Sequence, residues 1–460
     1  MKTNSQIVET SQTFLDDRHV DKPMSEFISL TKELVIEGFD LSAPLRYPFY
    51  INCIRTHNYK RAARYYTLRL LSAASARISI TGAGWISVRE GNSQREKDIT
   101  LPINEAIQKA GIKTGWAFIT DNSKLKKFCL GLYTTFLTRD VIHFFNRHAK
   151  KVAGIAHNLA NRFGFDKSFT KWFIISALSH YLLYKRALSV IRNRRETIKG
   201  LHVWMECHRL NNSLLQAAKA YEIPVILTQH GFLGQEWLHF PVQADRICVW
   251  GEVDRDWYLE RGVGEDRVRV TGTHLAFPVK LEDRWRMREQ FKIEPGQYVI
   301  FYMIPNALDY FHEKSVELLN QLQKSLSDVH CRLFIRPHRR NKSHVINKYT
   351  ALGFESFPGD VPVDEAFALA DVVIHDFSTM ATAEYSGLVT FCLPADPPYP
   401  EFYVKLLGEQ RIISNPEQFA EIVKQIQPGY ELKAKATPAM AAGEEEALNN
   451  ICRVFKELSI

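Results

Sequence analysis

The chain has 460 residues, of which 45% are hydrophobic and 24% are charged. Both fractions are close to the averages of globular proteins, which excludes a mainly disordered or fibrous chain. The formal net charge of +8 is compatible with an anionic substrate, a membrane surface or a nucleic acid, and does not choose among them.

The sequence predicts a cytoplasmic protein. Residues 1–17 are polar and mixed in charge, which argues against a secretory signal. Seven cysteines are scattered without a C-x-x-C pair, as expected for free thiols in a reducing compartment. The most apolar run, Trp172–Tyr184, has 13 residues and is too short for a membrane span, so it predicts a buried or interfacial helix.

The predicted elements begin after an N-terminal stretch, residues 1–60, whose weak periodicity predicts an irregular extension. A β-like run, Arg77–Thr81, ends at the segment Gly82-Ala-Gly84, which favours a tight turn over a phosphate-binding loop. A helix near Ile103–Ala110 and a strand at Gly115–Thr120 follow. Residues 125–198 are predicted to be mostly helical.

A cluster of arginines, Arg192-Asn-Arg-Arg195, lies in this helical region. It fits either a solvated helix face or a contact with an anionic lipid or acceptor. If the second interpretation holds, a cytoplasmic protein would also touch the inner membrane from its cytoplasmic side.

From residue 201, short apolar strands alternate with helical patterns, which predicts parallel sheets covered on both faces. The alternation restarts after a hinge near residues 273–282, so we expect two α/β domains of the Rossmann type that face each other across a cleft. The predicted ranges are 61–277 for a first domain with a helical insertion, 278–435 for a second domain, and 436–460 for a helix that packs back across the hinge.

Polar side chains follow two strands of the first predicted domain, where ligands of such sheets bind. Glu206 comes directly after the strand at Leu201–Met205, and His230 follows the strand at Val225–Gln229. A neutral imidazole can take a proton from a hydroxyl at neutral pH. His230 is therefore the first candidate for a general base and Glu206 the second, while a loop histidine bonded to backbone stays an alternative for His230.

Two strand ends of the second domain predict a phosphate site. Arg336 and His338 follow one strand, and arginine offers a planar fork of donors that suits phosphate. Ser378 and Thr379 stand at the start of a predicted helix, where hydroxyls and backbone N–H groups hold anions, although ordinary helix capping explains them equally. Glu384 is a candidate acceptor for the hydroxyls of a ribose.

The chain lacks the patterns of several other classes. It has no H-x-x-x-H pair, no cysteine pair and no D-x-D at a strand end, so no metal site is predicted. It also lacks a Walker loop and a G-x-G-x-x-G fingerprint, which excludes ordinary kinases, NTPases and dinucleotide oxidoreductases. No recognition motif accompanies the basic charge, so nucleic-acid binding is not expected.

The motifs of residues 200–395 resemble bacterial surface-polysaccharide transferases of the GT-B fold, in particular the capsule, polysialyltransferase-like and CDP-glycerol glycerophosphotransferase-like group. The similar segments include Thr228-Gln-His-Gly231, Val249-Trp-Gly-Glu252, Arg267–Gly272, Arg336-Pro-His338 and Asp376-Phe-Ser-Thr379. The block from Gln-His-Gly to Trp-Gly-Glu is the most specific of them.

The resemblance implies roles for individual residues. His230 would act on the acceptor side, His338 would contact the donor phosphates, and Ser378 with Thr379 would match the pair that binds donor phosphate. Gly272 belongs to the donor side in the same comparison. Arg339 stands where the family has proline after the histidine, and this departure affects how the donor is placed.

The expected function is a metal-independent glycosyltransferase without a cofactor, which uses a CMP-, CDP- or UDP-linked sugar and a glycan or lipid-linked acceptor of the capsule or lipopolysaccharide type. Two alternatives stay open: a CDP-glycerol-type glycerophosphotransferase and a catalytically inactive glycan- or nucleotide-binding partner of an assembly complex. The segment His338-Arg-Arg-Asn341 is similar to a motif of UDP-N-acetylglucosamine 2-epimerases, but it lies one strand later and lacks the glutamate, so we interpret it as a coincidence.

Overall fold

The computed structural model contains two parallel β-sheets with helices packed on their faces. It describes residues 17–55, 77–89, 94–120, 139–231, 233, 236–275, 279–305, 309–338, 341–358, 361–376, 383, 388–393, 408–426 and 443–459.

The N-terminal stretch differs from the irregular extension that its sequence predicts. It forms helix α1 (Asp17–Thr31), a hairpin of β1 (Val35–Ile36) and β2 (Phe39–Asp40), helix α2 (Ser42–Phe49) and a π-helical turn (Tyr50–Arg55). Phe27 and Phe49 are fully buried and stack with ring centroids 4.2 Å apart. Pro23 and Pro48 stand inside the helices and obscure their periodicity, because proline normally interrupts a helix. Burial of the aromatic rings in the main core stabilises these helices.

The first sheet has seven strands in the order β3-β5-β4-β6-β7-β8-β9, and only the pairing of β3 with β5 is antiparallel. Its strands are β3 (Arg77–Gly82), β4 (Gly84–Arg89), β5 (Thr114–Thr120), β6 (Ile198–Val203), β7 (Val225–Thr228), β8 (Arg246–Val249) and β9 (Val268–Val270). The accompanying helices are α3 (Gln94–Lys109), α4 (Arg139–Arg147), α5 (Ala149–Phe163), α6 (Lys167–Arg194), α7 (Arg209–Lys219), α8 (Glu236–His239) and α9 (Glu252–Leu259), with a 3-10 turn at Glu265–Arg267.

The two glycines between β3 and β4 form a tight turn. Gly82 and Gly84 have φ angles of 73° and 83°, a region that favours glycine. A Cβ atom on Gly84 would lie 2.1 Å from the carbonyl oxygen of Lys113. Because the strands approach so closely here, the glycines serve chain geometry, as the turn interpretation of this segment expects.

Helix α6 confirms the predicted helical nature of the most apolar run. Trp172, Phe173, Tyr181 and Tyr184 are all at most 2% exposed, so the run is a buried core helix. No helix within the described ranges is both long and apolar enough to cross a membrane. The predicted arginine cluster ends this helix, and Arg194 donates hydrogen bonds to the carbonyl oxygens of Ile80 and Gly82, which gives this arginine a structural role.

The second sheet has five parallel strands in the order β12-β11-β10-β13-β14. In chain order this is 3-2-1-4-5, the arrangement of a Rossmann-type sheet, and it confirms the predicted fold class. Its elements are α10 (Leu281–Gln290), β10 (Tyr298–Met303), α11 (Asp309–Ser325), β11 (Cys331–Arg336), α12 (Ser343–Thr350), β12 (Glu355–Ser356), α13 (Val363–Leu369), β13 (Val372–His375), β14 (Val389–Cys392), a 3-10 turn (Glu409–Arg411) and α14 (Pro416–Gln425).

The last helix, α15 (Glu444–Glu457), returns to the first sheet. The ring of Phe455 lies 4.7 Å from that of Trp85, whose indole Nε1–H donates to the Ser459 hydroxyl at 2.8 Å. Asn450 Nδ2 donates to the carbonyl oxygen of Thr271 at 3.0 Å. The chain therefore leaves the second sheet and ends on a face of the first.

Candidate functional site

Both sheets reverse their strand order at one point, and ligands of such sheets bind at the carboxyl ends of the strands beside that point. In the second sheet the order reverses between β10 and β13, and in the first between β4 and β6. The segments that follow β6 and β7 in one sheet, and β11 and β13 in the other, contain the polar residues that the sequence singles out. We describe the two groups in turn.

Aromatic side chains lie on one side of the predicted general base, His230. The ring of His230 lies edge-on to Trp204 with centroids 4.8 Å apart, and His208 contacts the same indole at 4.7 Å. Tyr47 lies 6.1 Å from His208 and is 38% exposed. His230 itself is 9% exposed, so its ring has a defined position.

Trp204 is a residue that the sequence analysis does not single out. Its indole Nε1 is buried, and no acceptor lies within hydrogen-bond distance among the residues that the structure describes. The same is true of Trp237, so an unbonded indole is not diagnostic alone. The distinguishing feature of Trp204 is its contact with both His208 and His230.

A buried hydrogen-bond network fixes the backbone on both sides of His230. Gln229 Nε2 donates to Asp254 Oδ1 at 2.8 Å and to the carbonyl oxygen of Gly231 at 2.9 Å. Gln229 Oε1 accepts from the Trp250 backbone N–H at 2.9 Å. Asp254 Oδ2 accepts from the Gly251 N–H at 3.1 Å. Both polar atoms of the Gln229 side-chain amide are thus used, and the loop after β7 is tied to the start of α9.

This network connects the Gln-His-Gly segment to the Trp-Gly-Glu segment and to Asp254. Asp254 is fully buried, and burial raises its pKa to about 7 against the lowering effect of the Gln229 amide and the Gly251 N–H. Its sequence signal is an acidic residue three positions after Gly251, in the first turn of a helix. Gln229 and Asp254 are 25 residues apart in the chain, so the sequence alone does not reveal their pairing.

Glu206 is placed differently from His230. Its carboxylate accepts the backbone N–H groups of Gln243, at 3.0 and 3.1 Å, and of Ala244, at 2.7 Å. Burial raises its pKa to about 7, against the lowering effect of these N–H donors. The carboxylate therefore holds the loop before β8, and its role as a base stays a prediction.

In the second sheet, Arg336 ends β11 and is half-buried against Phe357, with its guanidinium 5.8 Å from the ring. Its Nη2 donates to the carbonyl oxygen of Val361 at 2.7 Å and its Nη1 to that of Pro362 at 3.4 Å. Burial lowers the pKa of this arginine, with Asp364 opposing. Part of its donor fork is thus used to hold the segment before α13.

The segment after β11 is tied to the end of β10. Asn341 Oδ1 accepts the backbone N–H of His338 at 2.6 Å, and Asn341 Nδ2 donates to the carbonyl oxygen of Pro305 at 3.0 Å. The Asn341 N–H also donates to the His338 carbonyl oxygen at 2.7 Å. His338 therefore sits in a closed turn beside the switch point, a placement that the sequence alone does not reveal.

Buried polar groups lie at the end of β13. His375 is fully buried, which lowers its pKa to about 3 and keeps the ring neutral. Asp376 follows it and is 8% exposed. Nearby in the same domain, His312 Nδ1 and the hydroxyl of Tyr349 are 2.8 Å apart. Ser378, Thr379 and Glu384, as well as Arg339, lie outside the described residues.

Gly272, assigned to the donor side, follows β9. It is buried and has a φ angle of 87°, which favours glycine for the turn itself. The structure thus places His230 and Glu206 at one sheet, Arg336 and His338 at the other, and Gly272 at the end of the first sheet's last strand.

The chain was compared with known proteins. No protein-family model matches it, and no curated protein matches its sequence. It is similar to the structure of a protein assigned as a UDP-N-acetylglucosamine 2-epimerase from Listeria monocytogenes, with a TM-score of 0.51, 12% identity, and coverage of 82% of this chain and 96% of that one.

Two further similar structures have lower scores. A glycosyltransferase from Rickettsia africae has a TM-score of 0.44 at 11% identity, covering 82% of this chain and 98% of that one. An α,α-trehalose-phosphate synthase (UDP-forming) from Burkholderia vietnamiensis has a TM-score of 0.43 at 11% identity, covering 82% and 96%.

At such identities the likeness concerns the fold alone. The chain has a two-domain GT-B fold, as its sequence predicts. From the sequence we interpret the epimerase-like motif at His338–Asn341 as a coincidence. The structural comparison shows that the chain and an epimerase structure are similar in fold.

Proposed function

We propose that the protein is a metal-independent glycosyltransferase that moves a sugar from a nucleotide-activated donor to a growing surface glycan. The observation that carries the proposal is the placement of His230, whose backbone is fixed by Gln229 and Asp254 at the carboxyl end of β7. A neutral imidazole at that edge can accept the proton of an acceptor hydroxyl.

The acceptor half of the reaction uses the first sheet. The acceptor oxygen attacks the anomeric carbon of the donor sugar while its proton passes to His230. Trp204 bounds the imidazole on one side and also contacts His208, and aromatic faces of this kind suit the apolar surfaces of a sugar ring. Glu206 is the second candidate for the base, although its carboxylate is hydrogen-bonded to backbone N–H groups.

The donor half uses the second sheet. The bond between the anomeric carbon and the phosphate oxygen breaks, and its electron pair stays on that oxygen. Arg336 and His338, together with Ser378 and Thr379, stabilise the leaving phosphate, and preorganised donors of this kind are effective in transition-state stabilisation. Glu384 would bind the ribose hydroxyls of the nucleotide.

The expected substrates are a CMP-, CDP- or UDP-linked sugar and a glycan or lipid-linked acceptor, handled at the cytoplasmic face of the inner membrane. Support for a membrane contact comes from α4, which exposes Ile142 and Phe145, and from the exposed Arg192 and Arg195 at the end of α6. Basic residues near an anionic bilayer favour binding. Flotation with vesicles that contain anionic lipid, compared with neutral vesicles, tests this part: equal recovery with both contradicts it.

A thermal-shift screen tests the donor. A nucleotide sugar that binds only the folded state raises the melting temperature, so we expect a shift with at least one pyrimidine nucleotide sugar. CDP-glycerol and UDP-N-acetylglucosamine belong in the same screen, because product analysis then separates sugar transfer from glycerol phosphate transfer and from acceptor-independent epimerisation.

Two substitutions test the assigned residues. His230→Asn should lower the transfer rate by a factor of about 10² or more, the size of effect that general acid–base groups supply. His338→Ala should lower it by a factor of about 10², as loss of one preorganised donor to a developing charge does. His344→Ala, an exposed histidine in the second domain, is the control and should retain full activity. Wild-type activity in both site variants, with unchanged circular dichroism, would contradict the proposal.

A further inference from the structure

Three side chains that commonly bind metals meet outside both groups of strand ends. Glu37 lies in the turn between β1 and β2, His143 lies in α4, and His148 stands at the corner between α4 and α5. The Nε2 atoms of His143 and His148 lie 2.6 Å and 3.4 Å from Glu37 Oε1. All three ligand atoms are within 4.8 Å of one another. The same nitrogen of two imidazoles is therefore directed at one carboxylate oxygen.

The other carboxylate oxygen is held by different partners. Lys185 Nζ donates to Glu37 Oε2 at 3.1 Å, and the Tyr181 hydroxyl donates to it at 3.2 Å. Hydrogen bonds of this kind orient carboxylates that bind metals in proteins. They fix the carboxylate here so that Oε1 faces the two histidines.

The spacing suits a tetrahedral zinc ion with small adjustments. Two ligand atoms that each lie about 2.1 Å from a tetrahedral zinc are about 3.4 Å apart. The distance from His148 Nε2 to Glu37 Oε1 is 3.4 Å. The distance from His143 is shorter, but this side chain is 36% exposed and its ring can turn outward. Three protein ligands would leave a fourth position for water.

The backbone of the hairpin also favours a role for the Glu37 side chain. Glu37 has a φ angle of 51° and Gly38 one of 80°, the pattern of a two-residue turn with positive φ at both positions. Asn, Asp or Gly is preferred at the first of these positions, since a longer side chain there is strained. The presence of glutamate at this strained position is explained if its carboxylate binds a ligand.

We propose that Glu37, His143 and His148 form a zinc site that fastens the β1–β2 hairpin to the corner between α4 and α5. Imidazole and carboxylate together suit Zn²⁺ among the common divalent ions. The site stands apart from the transfer reaction, for which no metal is expected, and its role is to hold the N-terminal hairpin in place. It is a site that sequence spacing misses, because Glu37 lies 106 residues before His143 in the chain.

Metal titration of the full chain tests the site. After removal of metal with a chelator, Co²⁺ should give the visible absorption bands of a four-coordinate ion, and Zn²⁺ should displace them. Zinc should also raise the melting temperature, because it binds the folded state. Absence of saturable Zn²⁺ and Co²⁺ binding by the wild-type protein would overturn the proposal.

Variants separate this site from adventitious metal binding. His143→Ala and His148→Ala should each raise the zinc dissociation constant at least about tenfold, since even the loss of an outer-shell partner costs that much. His157→Ala, an exposed histidine on α5, is the matched control and should leave zinc affinity unchanged. Equal zinc affinity in wild type and in the His143→Ala/His148→Ala protein would overturn the assignment.

Discussion

The two sheets hold their candidate site residues in different ways. After β7, the loop that contains His230 is fixed by the side chain of Gln229, which is bonded to the buried Asp254 and to two backbone groups. After β11, His338 is held through backbone bonds to one half-buried side chain, Asn341. The first arrangement is a buried network in which each loss leaves another polar group unsatisfied, whereas the second is a single clamp nearer to solvent.

The difference fits the two tasks in the proposed reaction. A general base has to keep one position relative to the acceptor oxygen, and a shift of about 1 Å can cost a factor of about 10² in rate. A phosphate-binding segment tolerates adjustment, because several donors share the charge. We therefore expect substitutions on the first sheet to cost more stability and more rate than those on the second.

The largest effect should follow from breaking the network beside His230. Gln229→Leu removes the donor to Asp254 Oδ1 and the acceptor of the Trp250 N–H, and a buried polar group that loses its hydrogen bond costs about 1–3 kcal/mol. We expect the free energy of unfolding to fall by about 2–3 kcal/mol and the transfer rate to fall with it. Chemical denaturation and steady-state kinetics measure the two quantities.

A double substitution shows whether the pair acts as a unit. In Gln229→Leu/Asp254→Leu, both partners are apolar, and replacing both partners is far less costly than removing one. The double variant should therefore be less destabilised than the sum of the single variants. Simple additivity would contradict a coupled network.

Arg336 tests the second sheet, with an intermediate effect. Arg336→Met removes the donors to the carbonyl oxygens of Val361 and Pro362. Because this arginine is half-exposed, the free energy of unfolding should fall by about 1.5 kcal/mol, the low end of the range for hydrogen bonds to a charged group. Nucleotide affinity should also fall, but less than in His338→Ala, because part of the arginine fork is already engaged. Unchanged stability together with lost nucleotide binding would contradict the tethering role and leave only phosphate contact.

The sequence predicts most strands of both sheets but misses β4 and β12, and the reason for its success elsewhere is local. Short uninterrupted apolar runs, such as the one at Tyr298–Met303, predict buried parallel strands, and the structure has this strand at the same bounds. The polar segments after the strands also lie where a parallel sheet places its ligands. The local pattern of apolar runs and polar strand ends therefore predicts the general region of the candidate site.

The rest depends on contacts between distant segments. Glu206 has the sequence position of a catalytic carboxylate, yet its partners are the N–H groups of Gln243 and Ala244, far along the chain. Asp254 and Asn341 fix the two candidate loops, and the local sequence does not identify the loop residues that they bind. Pairings of this kind appear only once the fold brings the segments together.

The pH dependence of stability tests Glu206 with a smaller effect. Burial raises its pKa to about 7, above the ordinary value of 4.5. Such a group binds its proton more readily in the folded state, so its contribution is fully present below the ordinary pKa and is lost as the pH rises through about 7. Glu206→Gln does not titrate, and the variant should therefore gain stability relative to wild type as the pH rises from about 5 to about 8.

Thermal melts at each pH measure this difference directly. The Glu206→Gln side chain keeps one acceptor for the N–H groups of Gln243 and Ala244, so the loss at low pH should be moderate. A gap in melting temperature that stays constant across the pH range would show that the carboxylate is ionised in the folded protein throughout.

The smallest effect should come from Asn341, the clamp of the second sheet. Asn341→Ala removes the acceptor for the His338 N–H and the donor to the Pro305 carbonyl oxygen, and these half-buried bonds contribute about 1 kcal/mol together. Asn341→Asp keeps the acceptor and loses the donor, so its stability should lie between those of Asn341→Ala and wild type. The aspartate also places a negative charge beside the proposed phosphate site, and it should weaken nucleotide binding more than the alanine does, with a gap that narrows as salt is added. Equal nucleotide affinity in the two variants would mean that phosphate binds elsewhere, while their stability difference would still report on the clamp that holds His338.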